Sequence, residues 1–168
     1  MSRLLATATD VAFADGTSAD VELYISASSV EESRVFAAMV FVRDADGDFA
    51  LVHSVRRQEW GAPGGWREGS EPVRDNAVRE VAEETGIRLD PVDLTPVGYE
   101  RFVRQAGHGL WRPGQDVLQS FRADLAETAP ALRASLDDTS DRAWASWTEF
   151  ERRCGHLFWW PLAAAVFS

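Results

Sequence analysis

GWREGSEPVRDNAVREVAEETGI, residues 65–87, is the stretch from which this chain can be read. Its second part has the apolar period of a helix over residues 71–85, with Ala77, Val78, Val81 and Ala82 on one face. Ser70 is placed to cap the start, and Pro72 sits in the first turn, where its missing N–H does no harm. Gly86 offers a left-handed stop. Glu80, Glu83 and Glu84 crowd the last two turns; at about 100° per residue they fall within one arc of the surface. Like charges repel there, and a helix C-terminus favours cations instead. Each violation costs only some tenths of a kcal/mol, up to about 1, but rules broken together often mark a functional site. A hard divalent cation is the natural remedy, since Mg²⁺ takes oxygen ligands and bridges carboxylates to phosphate. In an acidic chain the same cluster also reads as a solvated helix face, and the helix alone does not decide between the two.

Working outward, residues 21–26 read as a short strand and residues 35–42 as a buried one. The turn Asp44-Ala45-Asp46-Gly47-Asp48 leads to a strand over 49–55, which predicts a hairpin. Residues 58–66, with Gly61, Pro63, Gly64 and Gly65, read as a tight loop. Beyond the helix, strands are expected over 94–104, 117–123 and 143–147, with a loop over 107–115, and short helices over 148–154 and 158–167. Strands mixed with helices that cover their faces predict α/β or α+β layers.

A length of 168 residues suits one domain with its own core, and 45% hydrophobic against 26% charged residues is an ordinary globular balance. The single cysteine, Cys154, forms no internal disulfide; it fits a reducing compartment and reads as a buried small apolar side chain. No run approaches the roughly 20 apolar residues that span a bilayer, and Pro161 interrupts the most apolar stretch. The first fourteen residues lack a basic start followed by an apolar run, so a cytoplasmic location is expected. A net charge of −10 argues against long nucleic acid as a partner and leaves room for a small phosphorylated ligand brought in by a cation.

The neighbours of the acidic cluster complete a longer pattern. Gly65, Glu71, Arg79, Glu80, Val81, Glu83, Glu84, Gly86 and Ile87 follow Gly-x5-Glu-x7-Arg-Glu-aliphatic-x-Glu-Glu-x-Gly-aliphatic without a gap. In this the chain resembles the Nudix hydrolases (MutT-like pyrophosphohydrolases) at every defined position of their signature. The resemblance implies a Nudix-type α/β/α sandwich around a mixed β-sheet, here one domain over residues 1–168 with residues 1–33 as an N-terminal β extension. It implies Mg²⁺, with Mn²⁺ as a substitute, held by Glu80, Glu83, Glu84 and the backbone carbonyl of Gly64. Arg79 would hold Glu80 by a charge-assisted bond, Gly65 would let the chain turn tightly, and Glu71 reads as structural. Metal ions neutralise a diphosphate and acidify a bound water, and a base then takes the water's proton. By the resemblance the base is a motif glutamate, for which Glu80 is the candidate, or an acid of a later loop, for which Asp138, chosen by its spacing to Trp144, is the candidate.

The expected reaction is hydrolysis of a nucleoside diphosphate derivative, with a (deoxy)nucleoside triphosphate cut to the monophosphate as first choice. Arg56-Arg57, then Trp60-Gly61-Ala62-Pro63-Gly64-Gly65, resemble the lead-in of the branches that cleave nucleoside triphosphates. The alternatives are ADP-ribose or a nucleotide sugar, and, in another class, a nucleotide-sensing module without catalysis. The proline of the ADP-ribose branch and the tyrosine of the dinucleoside-polyphosphate branch are replaced by Phe102-Val103 and Arg104-Gln105. Among seven tryptophans, Trp60, Trp66 and Trp111 flank the motif or lie in loops, and Trp66 and Trp111 are taken as candidates to stack on a base. Arg56 and Arg57, with Arg101 and Arg104 behind them, are candidates for phosphate contacts. His108 sits between glycines in a loop and reads as an exposed bystander. A homodimer is compatible with the chain.

Overall fold

The computed structural model describes residues 1–107, 112–133 and 139–168. Its elements are β1 (Arg3–Ala12), β2 (Ser18–Ile25), β3 (Val35–Arg43), β4 (Phe49–Ser54), β5 (Glu59–Gly61), β6 (Gly64–Trp66), α1 (Val73–Thr85), β7 (Thr95–Ala106), β8 (Val117–Asp124), β9 (Thr139–Ala145), α2 (Trp147–Cys154) and α3 (Trp160–Phe167). The strands form one mixed sheet in the order β1-β2-β7-β8-β3-β4-β5, with β6 pairing β3 and β9 pairing β4. The β3–β8 pair is parallel and the other pairs are antiparallel.

The two faces of the sheet carry separate cores. Val73, Ala77 and Val81 of α1 pack on Val35, Ala38, Val40 and Val42 of β3 and on Phe121 of β8. Phe150 of α2 and Leu162 of α3 cover the opposite face with Leu23, Met39, Phe41 and Leu51. Helices on both sides of a mixed sheet give the α/β/α sandwich. Strand β3 is buried on both faces from Val35 to Val42, which is why it reads as an unbroken apolar run.

Several local expectations are corrected. Strands β3 and β4 share only the pair Arg43↔Phe49 next to their turn; beyond it β3 is taken by β8 and β6, and β4 by β5 and β9. The turn itself is fixed by Asp44, whose carboxylate accepts the N–H groups of Asp46 and Asp48 and of the distant Ala129. The stretch 58–66 is not all loop, because β5 and β6 find partners in β4 and β3. Ser70 does not cap α1. The helix starts at Val73 with Pro72 as its N-cap and no bond from that side chain; Glu32, far away in sequence, accepts the Val73 N–H at 3.1 Å. The last strand ends at Ala145, two residues early, because Ser146 caps α2 by accepting from Glu149 N. Pro161 lies in the first turn of α3, so that helix begins at Trp160 rather than 158. Among the described residues no helix is long and apolar enough to cross a membrane.

Candidate active site: a cleft with acidic and aromatic walls

The loop and helix of the motif are locked together by two glycines and one arginine. A Cβ on Gly64 would stand 2.4 Å from the Ala38 carbonyl oxygen, and one on Gly65 would stand 2.5 Å from the Glu80 carboxyl group. Gly65 is therefore required by close approach and not by a tight turn, since its φ is not among the positive ones. Its bare Cα lets the Glu80 carboxylate lie directly over β6.

Arg79 is the hub of the acidic cluster. It donates to Glu80 Oε1 at 2.9 Å, to Glu83 Oε2 at 3.0 Å, to Glu71 at 2.7 and 3.2 Å and to the Trp66 carbonyl at 3.0 Å. The bond to Glu71 is the main cause that holds the guanidinium far above its ordinary pKa, and the same bond lowers that of Glu71. Glu71 is thus the anchor for Arg79, and Arg79 aims Glu80 and Glu83. Glu84 is fixed differently: its Oε2 accepts the Gly64 N–H at 2.9 Å. Asn76, fully buried, ties α1 to β6 by donating to the Trp66 carbonyl at 3.2 Å.

Glu80 and Glu84, 9% and 8% exposed, open with Gly64 and Gly65 onto a cleft of about 900 Å³. Glu83 lies beside them, reached through Arg79, and does not line the cleft. Among the described residues no three acidic, histidine or cysteine side chains form a ready-made metal cage. Like charges repel, and Arg79 engages two of the three carboxylates. The donors themselves suit a hard cation: two nearly buried carboxylates flank a bare backbone at the same end of one cleft.

Further along, the wall becomes aromatic. The Phe36 ring centroid lies 4.7 Å from that of Trp66 and 5.2 Å from that of Phe102, and Phe13 lies 5.8 Å from Phe102. Arg56 and Arg57 border the cleft from the exposed turn after β4, where Arg57 Nε is 3.5 Å from Glu59. Trp60 also borders it, with the Arg153 guanidinium stacked 4.1 Å from its ring centroid. One residue that sequence reasoning passed over lies on the floor: Glu100 of β7, 7% exposed. Desolvation pushes its pKa up to about 7, against a partly offsetting attraction from Arg57.

Other candidates lie elsewhere. Arg101 and Arg104 do not line this cleft. Next to Glu100 in a strand, Arg101 must face the opposite side of the sheet, where it pairs with Glu22 and Asp116; Arg104 pairs with Asp20. A smaller hollow of about 500 Å³ is bordered by Arg34 and Asp116, whose two-point ion pair satisfies both charges. Cys154 is buried with its thiol 3.5 Å from the Trp60 carbonyl, and burial pushes its pKa up to about 12, which leaves it inert as a nucleophile. Trp111, Asp138 and His108 lie outside the described residues.

Comparison with known proteins agrees with this architecture. A family model described as the NUDIX domain matches residues 33–164. Over 48 residues, 29% of this chain and 30% of the relative, the chain is 48% identical to the uncharacterized Nudix hydrolase YvcI of Bacillus subtilis (strain 168), so the match spans less than a third of that relative's length. Among solved structures, the NUDIX domain of Shewanella oneidensis NrtR complexed with ADP ribose superposes with a TM-score of 0.59 at 16% identity, covering 80% of this chain and 89% of that one. A C. elegans Ap4A hydrolase binary complex gives a TM-score of 0.56 at 16% identity, covering 77% and 93%. The Bacillus subtilis pyrophosphohydrolase BsRppH gives 0.53 at 20% identity, covering 74% and 71%. At these identities the structural likenesses establish the fold.

Proposed function

The chain belongs to the NUDIX domain family, and on that premise we propose that it is a pyrophosphohydrolase that cuts a (deoxy)nucleoside triphosphate to the monophosphate and pyrophosphate, with Mg²⁺. The observation that carries this reading is the single cleft that joins Glu80 and Glu84 at one end to the Phe36–Trp66–Phe102 wall beyond them. A polyphosphate needs the first and a nucleobase the second. In this reading Glu80, Glu83, Glu84 and the Gly64 carbonyl hold the metal, and Mn²⁺ is the expected substitute because it takes the same hard oxygen ligands. Bound there, the cation supplies charge neutralisation to the polyphosphate and a more acidic water.

The chain's own residues do the rest. Arg79 fixes the carboxylates of Glu80 and Glu83, and the Gly64 N–H fixes that of Glu84, so the ligands are oriented before substrate arrives. Arg56 and Arg57 at the rim draw in the anionic tail. Trp66, half-buried and backed by Phe36, offers the base an aromatic face. Glu80 is the group within the cleft that takes the proton of the attacking water, and Asp138 is its rival from the later loop. We take the domain to run over residues 1–168, with residues 1–33 as an extension that brings Phe13 and Asp15 to the cleft wall. ADP-ribose and nucleotide sugars, the alternative substrates, place the same diphosphate beside the same carboxylates.

The test is phosphate and pyrophosphate release from a panel of nucleotides with and without Mg²⁺, for wild type and Glu84→Gln. Metal-dependent cleavage that the substitution abolishes supports the reading and names the substrate. A nucleotide that raises the melting temperature but is never cut would instead make the chain a sensing module.

A further inference from the structure

Glu100 stands in an unusual row. Across the sheet, the register places Leu23, Glu100, Leu118, Ala37 and Trp66 side by side on the face that floors the cleft. Its neighbours on both sides are apolar, and no described residue donates a hydrogen bond to its carboxyl group. A buried carboxyl that the fold leaves unsatisfied, opening into a cavity, points to a ligand with donors of its own. Arg57, the nearest cation to act on it, lies at the rim and attracts it only through space.

The register also tells what part of a ligand Glu100 meets. Three strand steps separate it from Trp66, about 14 Å at about 4.8 Å per step. The Glu80 carboxylate sits on Gly65, next to Trp66. Glu100 is thus too far from the motif glutamates to share a cation or a water with them. It lies where the far end of a nucleotide would be, beside Phe102 on its own strand and close to the Phe36–Phe102 contact.

We propose that Glu100 reads the hydrogen-bond edge of a base stacked on this aromatic wall, and that the base is guanine. A carboxylate only accepts, through two oxygens side by side. Guanine presents two adjacent donors, N1–H and the N2 amino group. Adenine and cytosine each set one amino donor beside an acceptor, and uracil and thymine set one N–H between two carbonyls. Only guanine matches both oxygens without placing an acceptor against one of them. The inference rests on the reading that this cleft holds a nucleotide, and it narrows the substrate class to guanine nucleotides.

The test is binding, which does not depend on turnover. Quenching of tryptophan fluorescence by GMP, IMP and AMP is measured for wild type, Glu100→Gln and Glu100→Leu, with circular dichroism and melting curves to show that each is folded. For wild type, GMP binds about tenfold or more tighter than AMP, the size of a good two-point contact, and IMP, which lacks the N2 amino group, falls between. Glu100→Gln, whose amide offers one acceptor and one donor, shifts the preference to AMP, and Glu100→Leu removes it. Equal binding of GMP and AMP by wild type, no binding of any of the three, or a uniform loss for all of them in the variants would overturn the proposal. A guanine preference without hydrolysis leaves it standing and removes the hydrolase reading; hydrolysis without any base preference does the reverse.

Discussion

Glu100→Gln also tests the physics of the cleft floor through stability. Burial raises this carboxyl from its ordinary 4.5 to about 7. The unfolded chain releases its proton near the lower value and the folded chain near the higher one. Between them the folded state holds more protons, so its stability falls as pH rises through that window and stays lowered above it. The gap of about 2.5 pH units, at about 1.4 kcal/mol each, corresponds to about 3 kcal/mol of instability that wild type carries at pH 8. Glutamine cannot ionise, so the variant escapes that loss. Its amide is left as unsatisfied as the neutral acid, at a cost that does not change with pH. The diagnostic quantity is therefore the change in the difference between the two proteins, measured by urea unfolding. The difference should move in favour of the variant by roughly 2–3 kcal/mol between pH 4.5 and pH 8, with most of the movement between pH 5 and 7. The same difference at both ends of the range would mean that water reaches Glu100 freely, and the account of a dry floor would fail.

Three further outcomes follow from the motif. Arg79→Lys keeps the charge but cannot reach Glu71, Glu80, Glu83 and the Trp66 carbonyl together; we expect kcat to fall about 100-fold and stability by about 1–3 kcal/mol, read from steady-state kinetics and urea curves. Gly65→Ala puts a methyl group 2.5 Å from the Glu80 carboxyl without straining the backbone; kcat should fall about 100-fold while the melting temperature barely moves, and unchanged kcat would show that the position of Glu80 is not critical. Glu32→Ala removes the acceptor for Val73 N–H outside the cleft; stability should drop by about 1 kcal/mol, a shift of about 2–4 °C in melting temperature, with KM unaltered.

The part of the site that the sequence made legible is the part that is contiguous. Residues 65–87 form one loop and one helix, and the fixed turn of a helix places Glu80, Glu83 and Glu84 without knowledge of anything else. The aromatic wall was not legible, because Phe36, Trp66 and Phe102 meet only through the order in which β3, β6 and β7 enter the sheet. Glu100 looks like any polar residue of an alternating strand; only the pairing of β7 between β2 and β8 turns it toward the cleft. One signal was there to find: a lone acid between Gly98 and Phe102 on the alternating positions that β7 buries. Strand β1 received no bounds of its own beyond its place in the N-terminal β extension, because Ala6 and Ala8, alternating with Thr7 and Thr9, give only a weak apolar signal, as suits an exposed edge. The sequence points to a helix from 71 capped by Ser70, two residues before its true start at Val73, because local capping rules cannot foresee an acceptor such as Glu32, which arrives from another part of the chain.

That long-range cap bears on how the protein assembles. An isolated peptide of residues 65–87 would lack the acceptor for its first helical N–H and the strand on which α1 rests, so it should be largely unstructured in water. The cleft draws its walls from Phe13 near one end of the sequence to Phe158 near the other, and closing contacts over such separations is slow compared with winding a helix. The signature that announces the chemistry in the sequence is thus unable to perform it alone. The capacity to bind should appear late, in the same kinetic phase as the docking of α3 onto the sheet, and stopped-flow refolding monitored in the presence of nucleotide would see it there.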